Sequence, residues 1–409
     1  MKIGQFANKN NISIDTVRHY IDMGLIIPNK NSHLYDFDSR CQADLNELMK
    51  LKEMKFTLKE IKLIFILKRL GKLTKVQNEQ WYKEFFEMKY NSIIESIDEL
   101  IKVKNKIEKE IEEMILTEDS TKSTIGIDIK SLDFLRCNKC GDELILADGN
   151  IVRNKILNGV IQCKCGKRLV IEDGIILANQ KEAIYNENNY ENFSLVDYIN
   201  NTKEEFLETL CTSMEWIYKN MEFHNLNNKL ILELGSGFGF LIRTIYEDLP
   251  DNCTYVLVDN DLSRHKYLKN ILENVNCRKN LIFICSDFLD IPIKENSVDL
   301  VLDVAGSSYY CMENEKFLIK EIDKYTKKDT QLVGAYIIFE NFSENSMIYE
   351  EYRKNFILSN IDEELNKLYY KETNKKILQK VEKLGEYEIY CTEGEKLFNY
   401  LSVRKKVIK

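Results

Sequence analysis

Residues 230–240 read LILELGSGFGF, an apolar run that ends in an acid and then sets three glycines at alternate positions. A second apolar run, YVLV at 255–258, ends in Asp259, twenty residues beyond Gly239. An unbroken apolar run suits a strand covered on both faces. A glycine turn into a helix N-terminus then lets backbone N–H groups approach a ligand. An acid at the tip of the next strand can accept hydrogen bonds from ribose hydroxyls. The dinucleotide fingerprint GxGxxG is excluded, because it would need glycine where Phe240 stands; Gly235, Gly237 and Gly239 give GxGxG behind Glu233.

That arrangement resembles the first motif of class I S-adenosylmethionine-dependent methyltransferases. The resemblance implies that the three glycines, with Glu233 beside them, make room for the methionine part of the cofactor. Asp259 would take the ribose hydroxyls. Asp287, in CSDFLDIP after a third apolar run, falls where the family binds the adenine amino group, and Phe288 would pack on the ring. Strand candidates at 230–234, 255–259, 281–285, 298–303 and 331–339 alternate with helical stretches. They imply an α/β doubly wound, Rossmann-like domain over 193–409.

A sulfonium cofactor carries its own leaving group, so the protein chiefly positions a nucleophile, and a catalytic residue is hard to single out. DVAGSSYY at 303–310 occupies the family's fourth-strand position. It lacks the (Asp/Asn)-Pro-Pro-Tyr pattern of base-amino methyltransferases, which disfavours N-methylation of DNA bases. Asp303, Tyr309 and Tyr310 are the catalytic or acceptor-pocket candidates; the tyrosines read equally as packing residues. Cys311 lacks a partner and reads as a small apolar residue.

The 409-residue chain is too long for one ordinary core. Its net charge of −8 is uneven: residues 1–75 carry 14 basic and 8 acidic side chains, leaving −14 for the rest. A basic module on an acidic body points to a polyanion partner for the first module alone. Within it Ser13 can cap a helix closed by Gly24, NKNSHLYDFD at 29–38 suits a β-wing, and Thr57 with Glu60 forms a capping box. IGQFA, SIDTVRHY, MGLIIP and LKEMKFTLKEIK resemble, in order, the winged helix-turn-helix DNA-binding domain of MerR-family transcription regulators over 1–75. The resemblance implies double-stranded promoter DNA as partner and RNA polymerase as an indirect one. The implied DNA contacts are Thr16, Arg18, His19 and Tyr20 on the recognition helix and Lys30 and His33 on the wing. The wing departs from the family's Gly-Tyr-Arg turn.

From Phe86 onward, Tyr90, Ile93, Ile97, Leu100, Lys104, Ile107, Ile111 and Met114 follow alternating steps of three and four, a heptad seam. A coiled-coil dimerisation helix over 80–116 and hence a homodimer are expected, in agreement with the MerR resemblance; packing within the chain is the alternative. EDSTKST at 118–124 reads as a linker.

Eleven cysteines in a large chain with no apolar leader suit a reducing, cytoplasmic setting, and no run is long enough for a membrane. Four of them, Cys137-x-x-Cys140-Gly and Cys163-x-Cys165-Gly, form two knuckles suited to a structural Zn²⁺ over 130–182. The segment resembles the small zinc ribbon before the catalytic domain of some bacterial methyltransferases, including rRNA guanine enzymes, although Cys-x-Cys departs from the usual Cys-x-x-Cys. The expectation is a MerR-like regulator whose methyltransferase domain acts on a small-molecule acceptor or answers a small-molecule effector. A non-catalytic cofactor or ligand sensor and an RNA-modifying enzyme are the alternatives.

Overall fold

The structure, a computed structural model, describes residues 1–31, 34–70, 75–115, 123–178, 195–275, 277–388 and 390–407. The side chains at 31, 75–79 and 113–115 are not described. His33, the Met114 side chain and most of the 118–124 linker therefore lie outside the described residues. The chain divides into two compact units, Met1–Asp119 and Ser120–Lys409.

The first unit opens with α1 (Ile3–Lys9) and α2 (Ile14–Asp22), followed by an antiparallel hairpin of β1 (Asn29–Asn31) and β2 (Leu34–Asp36). Three helices complete it: α3 (Ser39–Glu53), α4 (Leu58–Leu70) and α5 (Lys75–Ile115). Ser13 Oγ accepts from Thr16 N–H at 3.0 Å, satisfying an orphan donor at the start of α2 and contributing about 1 kcal/mol. Thr57 and Glu60 exchange bonds of 2.6 and 3.3 Å as a reciprocal capping box for α4. Apolar positions at helical spacing, Phe6, Val17, Leu45, Leu48, Ile61 and Phe65, share one core, and Phe37 closes it by stacking on Phe6 at 4.4 Å. The far part of α5 is different. Tyr90, Ile93, Ile97, Leu100, Ile107 and Ile111 are all exposed along the heptad seam, and seam residue Lys104 pairs with Glu108 at 2.7 Å.

The second unit is built on one long sheet. Its first strands are β3 (Ile127–Asp128), β4 (Leu144–Val152), β5 (Lys155–Cys163), β6 (Arg168–Glu172) and β7 (Ile175–Leu177). After α6 (Leu195–Asn201) and α7 (Glu204–Asn220) come β8 (Leu230–Leu234), β9 (Thr254–Asp259), β10 (Asn280–Cys285), β11 (Val298–Val304) and β12 (Thr326–Asn341). Between these strands lie α8 (Phe240–Ile245), α9 (Leu262–Glu273), α10 (Gly306–Cys311) and α11 (Leu318–Ile322); α12 (Leu358–Lys367), β13 (Tyr370–Ile377) and β14 (Lys396–Lys406) follow.

The strand order is β13-β14-β12-β11-β8-β9-β10-β7-β6-β5-β3, with β4 on β5. The strands from β12 to β10 run parallel, and every residue of β8 and β9 is buried, which explains their unbroken apolar runs. The connection order reverses between β8 and β11, the switch point beyond whose carboxyl ends α/β sheets bind ligands. β7 pairs in parallel with β10, aligning Ile175 with Phe283. Segments 130–182 and 193–409, set apart by their sequence motifs, thus share a sheet and a hydrophobic core that runs from Leu135 and Ile161 to Val256 and Ile282.

Candidate functional site

The chain turns sharply after β8, and its three glycines serve three different needs. All have positive φ, at 71°, 52° and 76° for Gly235, Gly237 and Gly239. A Cβ on Gly235 would approach the Gly306 Cα to 3.2 Å, and one on Gly239 would strike Leu268 at 2.2 Å. Those two glycines are required by packing against α10 and α9. At Gly237 the nearest atom would be 3.9 Å away, the Gly235 carbonyl oxygen, so its open side faces space. That space is a cavity of about 430 Å³, within the usual range for small-molecule sites. Gly239 does not line it, so its expected role of making room for cofactor is corrected: it makes room for Leu268.

Asp259, at the end of β9, holds the turn in place. Its buried carboxylate accepts from Gly237 N–H at 2.8 Å through one oxygen and from Asp261 N–H at 2.9 Å through the other. A carboxylate has about four acceptor directions, so both oxygens keep spare capacity, and Asp259 lines the cavity. Glu233 lies 2 % exposed at the cavity floor, where Tyr255 OH donates to it at 2.8 Å. Burial pushes its carboxyl up to about 8. Asp287 and Phe288 form another wall; Asp287 also accepts from Leu289 N–H at 2.8 Å, capping a short 3-10 turn.

The expected acceptor-pocket residues separate. Tyr309 and Tyr310 line the cavity, and the ring of Tyr310 meets that of Phe288 edge-on at 6.3 Å. Asp303 does not line it. It is wholly buried below α10, where it accepts from Ser307 N–H at 2.8 Å, and burial pushes its carboxyl up to about 6. Its placement at a strand end suggested a site, yet the side chain is spent on starting the next helix.

Sequence reasoning missed another part of the lining. Tyr198, Tyr387, Glu388 and Tyr390 line the cavity there, with Glu313 and Arg264 elsewhere on its surface. Arg264 lies over Phe238 at 5.3 Å. No periodicity or motif marks these residues, because they come from separate segments joined only by the fold.

The four expected metal ligands do converge. Cys137, Cys140, Cys163 and Cys165 place their sulfurs within 4.8 Å of one another. Two of the separations are 3.6 and 3.4 Å, far beyond a disulfide bond and close to the roughly 3.8 Å between sulfurs on a tetrahedral ion with 2.3 Å bonds. Gly141 and Gly166, at φ 77° and 88°, turn each loop back so that their N–H groups bond the Cys137 and Cys163 carbonyls. The donor set fits a closed, structural metal site.

In the first unit Arg18 and His19 are exposed on α2, and Arg18 reaches Asp15 at 3.1 Å. Thr16 shares a hydrogen bond with Ser13 at 2.8 Å, and exposed Lys30 sits over the Tyr35 ring at 5.8 Å. Tyr20 departs from expectation. It is 2 % exposed, and Lys52 Nζ donates to its hydroxyl at 3.3 Å, so its ring belongs to the helical core and not to a phosphate-facing surface.

Residues 1–66 match the MerR HTH family regulatory protein and residues 231–329 the methyltransferase domain family. No curated protein matches the chain. Solved structures similar to it include the MccD protein (12 % identity, covering 48 % of this chain and 96 % of that one, TM-score 0.37). Another is a SAM-dependent methyltransferase from Aquifex aeolicus (14 %, 50 % and 94 %, 0.33). A third is geranyl diphosphate C-methyltransferase from Streptomyces coelicolor (10 %, 48 % and 76 %, 0.37).

Glu233 generates a stability prediction. Its carboxyl stays protonated in the folded protein up to about pH 8, whereas in the unfolded chain it ionises near 4.5. The unfolded state therefore binds fewer protons in that window, and stability falls as pH rises through it, by an amount on the order of a few kcal/mol. Glu233→Gln should raise the melting temperature relative to wild type at pH 8 and much less at pH 5. Equal shifts at both pH values would show that Glu233 ionises freely.

Proposed function

We propose that this chain, a MerR-type DNA-binding domain fused to a methyltransferase domain, binds promoter DNA as a dimer and binds S-adenosylmethionine in the cavity beside Gly237. One observation carries the reading of the cavity: Gly237 opens toward it while Asp259, tied to the Gly237 N–H, lines it and keeps spare acceptor capacity. Asp259 would accept from the ribose hydroxyls, Asp287 from the adenine amino group, and Phe288 would pack on the base. Glu233 faces the cationic methionine end, where a nearby positive charge would draw off its proton. When bound, the cofactor supplies an activated methyl and its own leaving group. The protein's share is to orient an acceptor along the Tyr309 and Tyr310 wall and to keep water away. A cavity of this size favours a small-molecule acceptor over a nucleic acid strand.

On the DNA side, α2 would enter the major groove with Thr16, Arg18 and His19 outward, and the β1–β2 hairpin would act as the wing carrying Lys30. The exposed seam of α5 would pair with its counterpart in a second copy, an antiparallel coiled coil in which Lys104 helps to fix register. The four cysteines would hold one Zn²⁺ in a ribbon that stiffens β4 to β6. No described helix is long and apolar enough to cross a membrane.

Asp259→Ala should weaken calorimetric binding of S-adenosylmethionine by about 1–3 kcal/mol, because it leaves ribose hydroxyls without an acceptor. Gly237→Leu should abolish binding by filling the cradle. Wild-type protein that gives no binding heat would refute the cofactor site. Arg18→Ala should weaken binding to the protein's own promoter and flatten its salt dependence by about one phosphate contact; an unchanged slope places Arg18 off the DNA. Elemental analysis should find one zinc per chain, lost in Cys163→Ser, and a metal-free protein with a folded ribbon would count against the assignment.

A further inference from the structure

One part of the cavity lining, which meets the start of α8 where Tyr198 packs on Phe240 at 5.4 Å, is built around a buried acid. Glu388 is 6 % exposed; one carboxylate oxygen accepts from Tyr198 OH at 2.6 Å and keeps a further acceptor direction, while the other is sealed from solvent on the Gly385 side without a partner among the described residues. A buried carboxylate matched by a single hydrogen bond is costly unless a positive charge comes near it. Tyrosine rings surround it. Tyr198 meets Tyr387 at 5.4 Å and Tyr309 meets Tyr390 at 5.6 Å, and all four line the cavity with Glu388. The chain fixes this wall firmly. Lys203 N–H bonds the Leu384 carbonyl at 2.6 Å and Glu386 N–H the Asn201 carbonyl at 3.2 Å. A Cβ on Gly385 would come within 2.9 Å of the Thr202 Cα and 3.1 Å of the free Glu388 oxygen. These bonds lock the loop carrying Glu388 against the end of α6.

Tyrosine faces carry negative charge density, and a buried carboxylate among them attracts a cation twice over. Of the other acids that line the cavity, Glu233, Asp259 and Asp287 are accounted for by the cofactor reading, and Glu313 is exposed to solvent. Glu388 is left for a second molecule. We propose that Glu388, with Tyr198, Tyr309, Tyr387 and Tyr390, forms the acceptor subsite and binds the methyl acceptor through a protonated amine. The inference rests on the reading of the cavity as a methyl-transfer site and gives the chemical class of its substrate. A neutral or anionic acceptor would leave the carboxylate uncompensated.

Calorimetry on the full chain tests this with phenethylamine as the cationic probe and 2-phenylethanol as its neutral isostere. Wild type should prefer the amine. Glu388→Gln should weaken amine binding by about tenfold while leaving the alcohol unchanged, and Tyr309→Leu should weaken the amine by about threefold. Binding of S-adenosylhomocysteine should be the same in wild type and Glu388→Gln. An amine that does not bind wild type, that binds no better than the alcohol, or that is indifferent to Glu388→Gln overturns the proposal. Loss of S-adenosylhomocysteine binding in Glu388→Gln also overturns it, by assigning the carboxylate to the cofactor's amino-acid end. Failure of wild type to bind S-adenosylhomocysteine, with amine selectivity intact, would instead strike the cofactor reading alone.

Discussion

The hydrogen bond from Gly237 N–H to Asp259 ties the turn after β8 to the tip of β9, and the cavity takes its shape from that tie. Around it the backbone has no slack. Gly235 abuts Gly306, Gly239 abuts Leu268, and the N–H groups of Gly235 and Ser236 both reach the Val258 carbonyl, at 2.9 and 3.1 Å. Two glycines are thus consumed in holding the turn rigid so that the third can stay open. This division of labour is preorganisation: the conformational cost of the cradle is met on folding, before any ligand arrives.

The central strands were legible because burial on both faces leaves a plain apolar trace. The candidate at 230–234 coincides with β8, and those at 255–259 and 281–285 each miss one leading residue. The candidate at 331–339 falls short of β12, whose first residues, Thr326-Lys-Lys-Asp, are polar and lie at the sheet's margin. β13 left no trace at all. Its residues Glu372 to Ile377 are mostly exposed, so nothing forces a hydrophobic alternation on them. Caps were equally legible, since Ser13, Thr57 and Glu60 act within one helical turn.

The site was legible only where it coincides with a backbone motif. Glycines and strand-end acids announce themselves because a local conformation demands them. Tyr198 and Glu388 are 190 residues apart and joined by one side-chain bond, which no window of sequence can reveal. Asp303 and Tyr20 show the opposite error. Each is a polar side chain at a promising station, and each is turned inward to meet a neighbour, Ser307 N–H in one case and Lys52 in the other.

The pairing of β7 with β10 has a bearing on the life of the molecule before it is finished. β10 is buried from Leu281 to Cys285, and without β7 its outer edge would present an apolar strand with unpaired N–H and C=O groups. Such an edge is a template for another chain. The segment that covers it precedes β10 in sequence, so during synthesis it is available before the strand that needs it emerges. Both neighbours of β10, β9 and β7, are thus in hand when it emerges, and β7 covers the edge that another chain could otherwise extend.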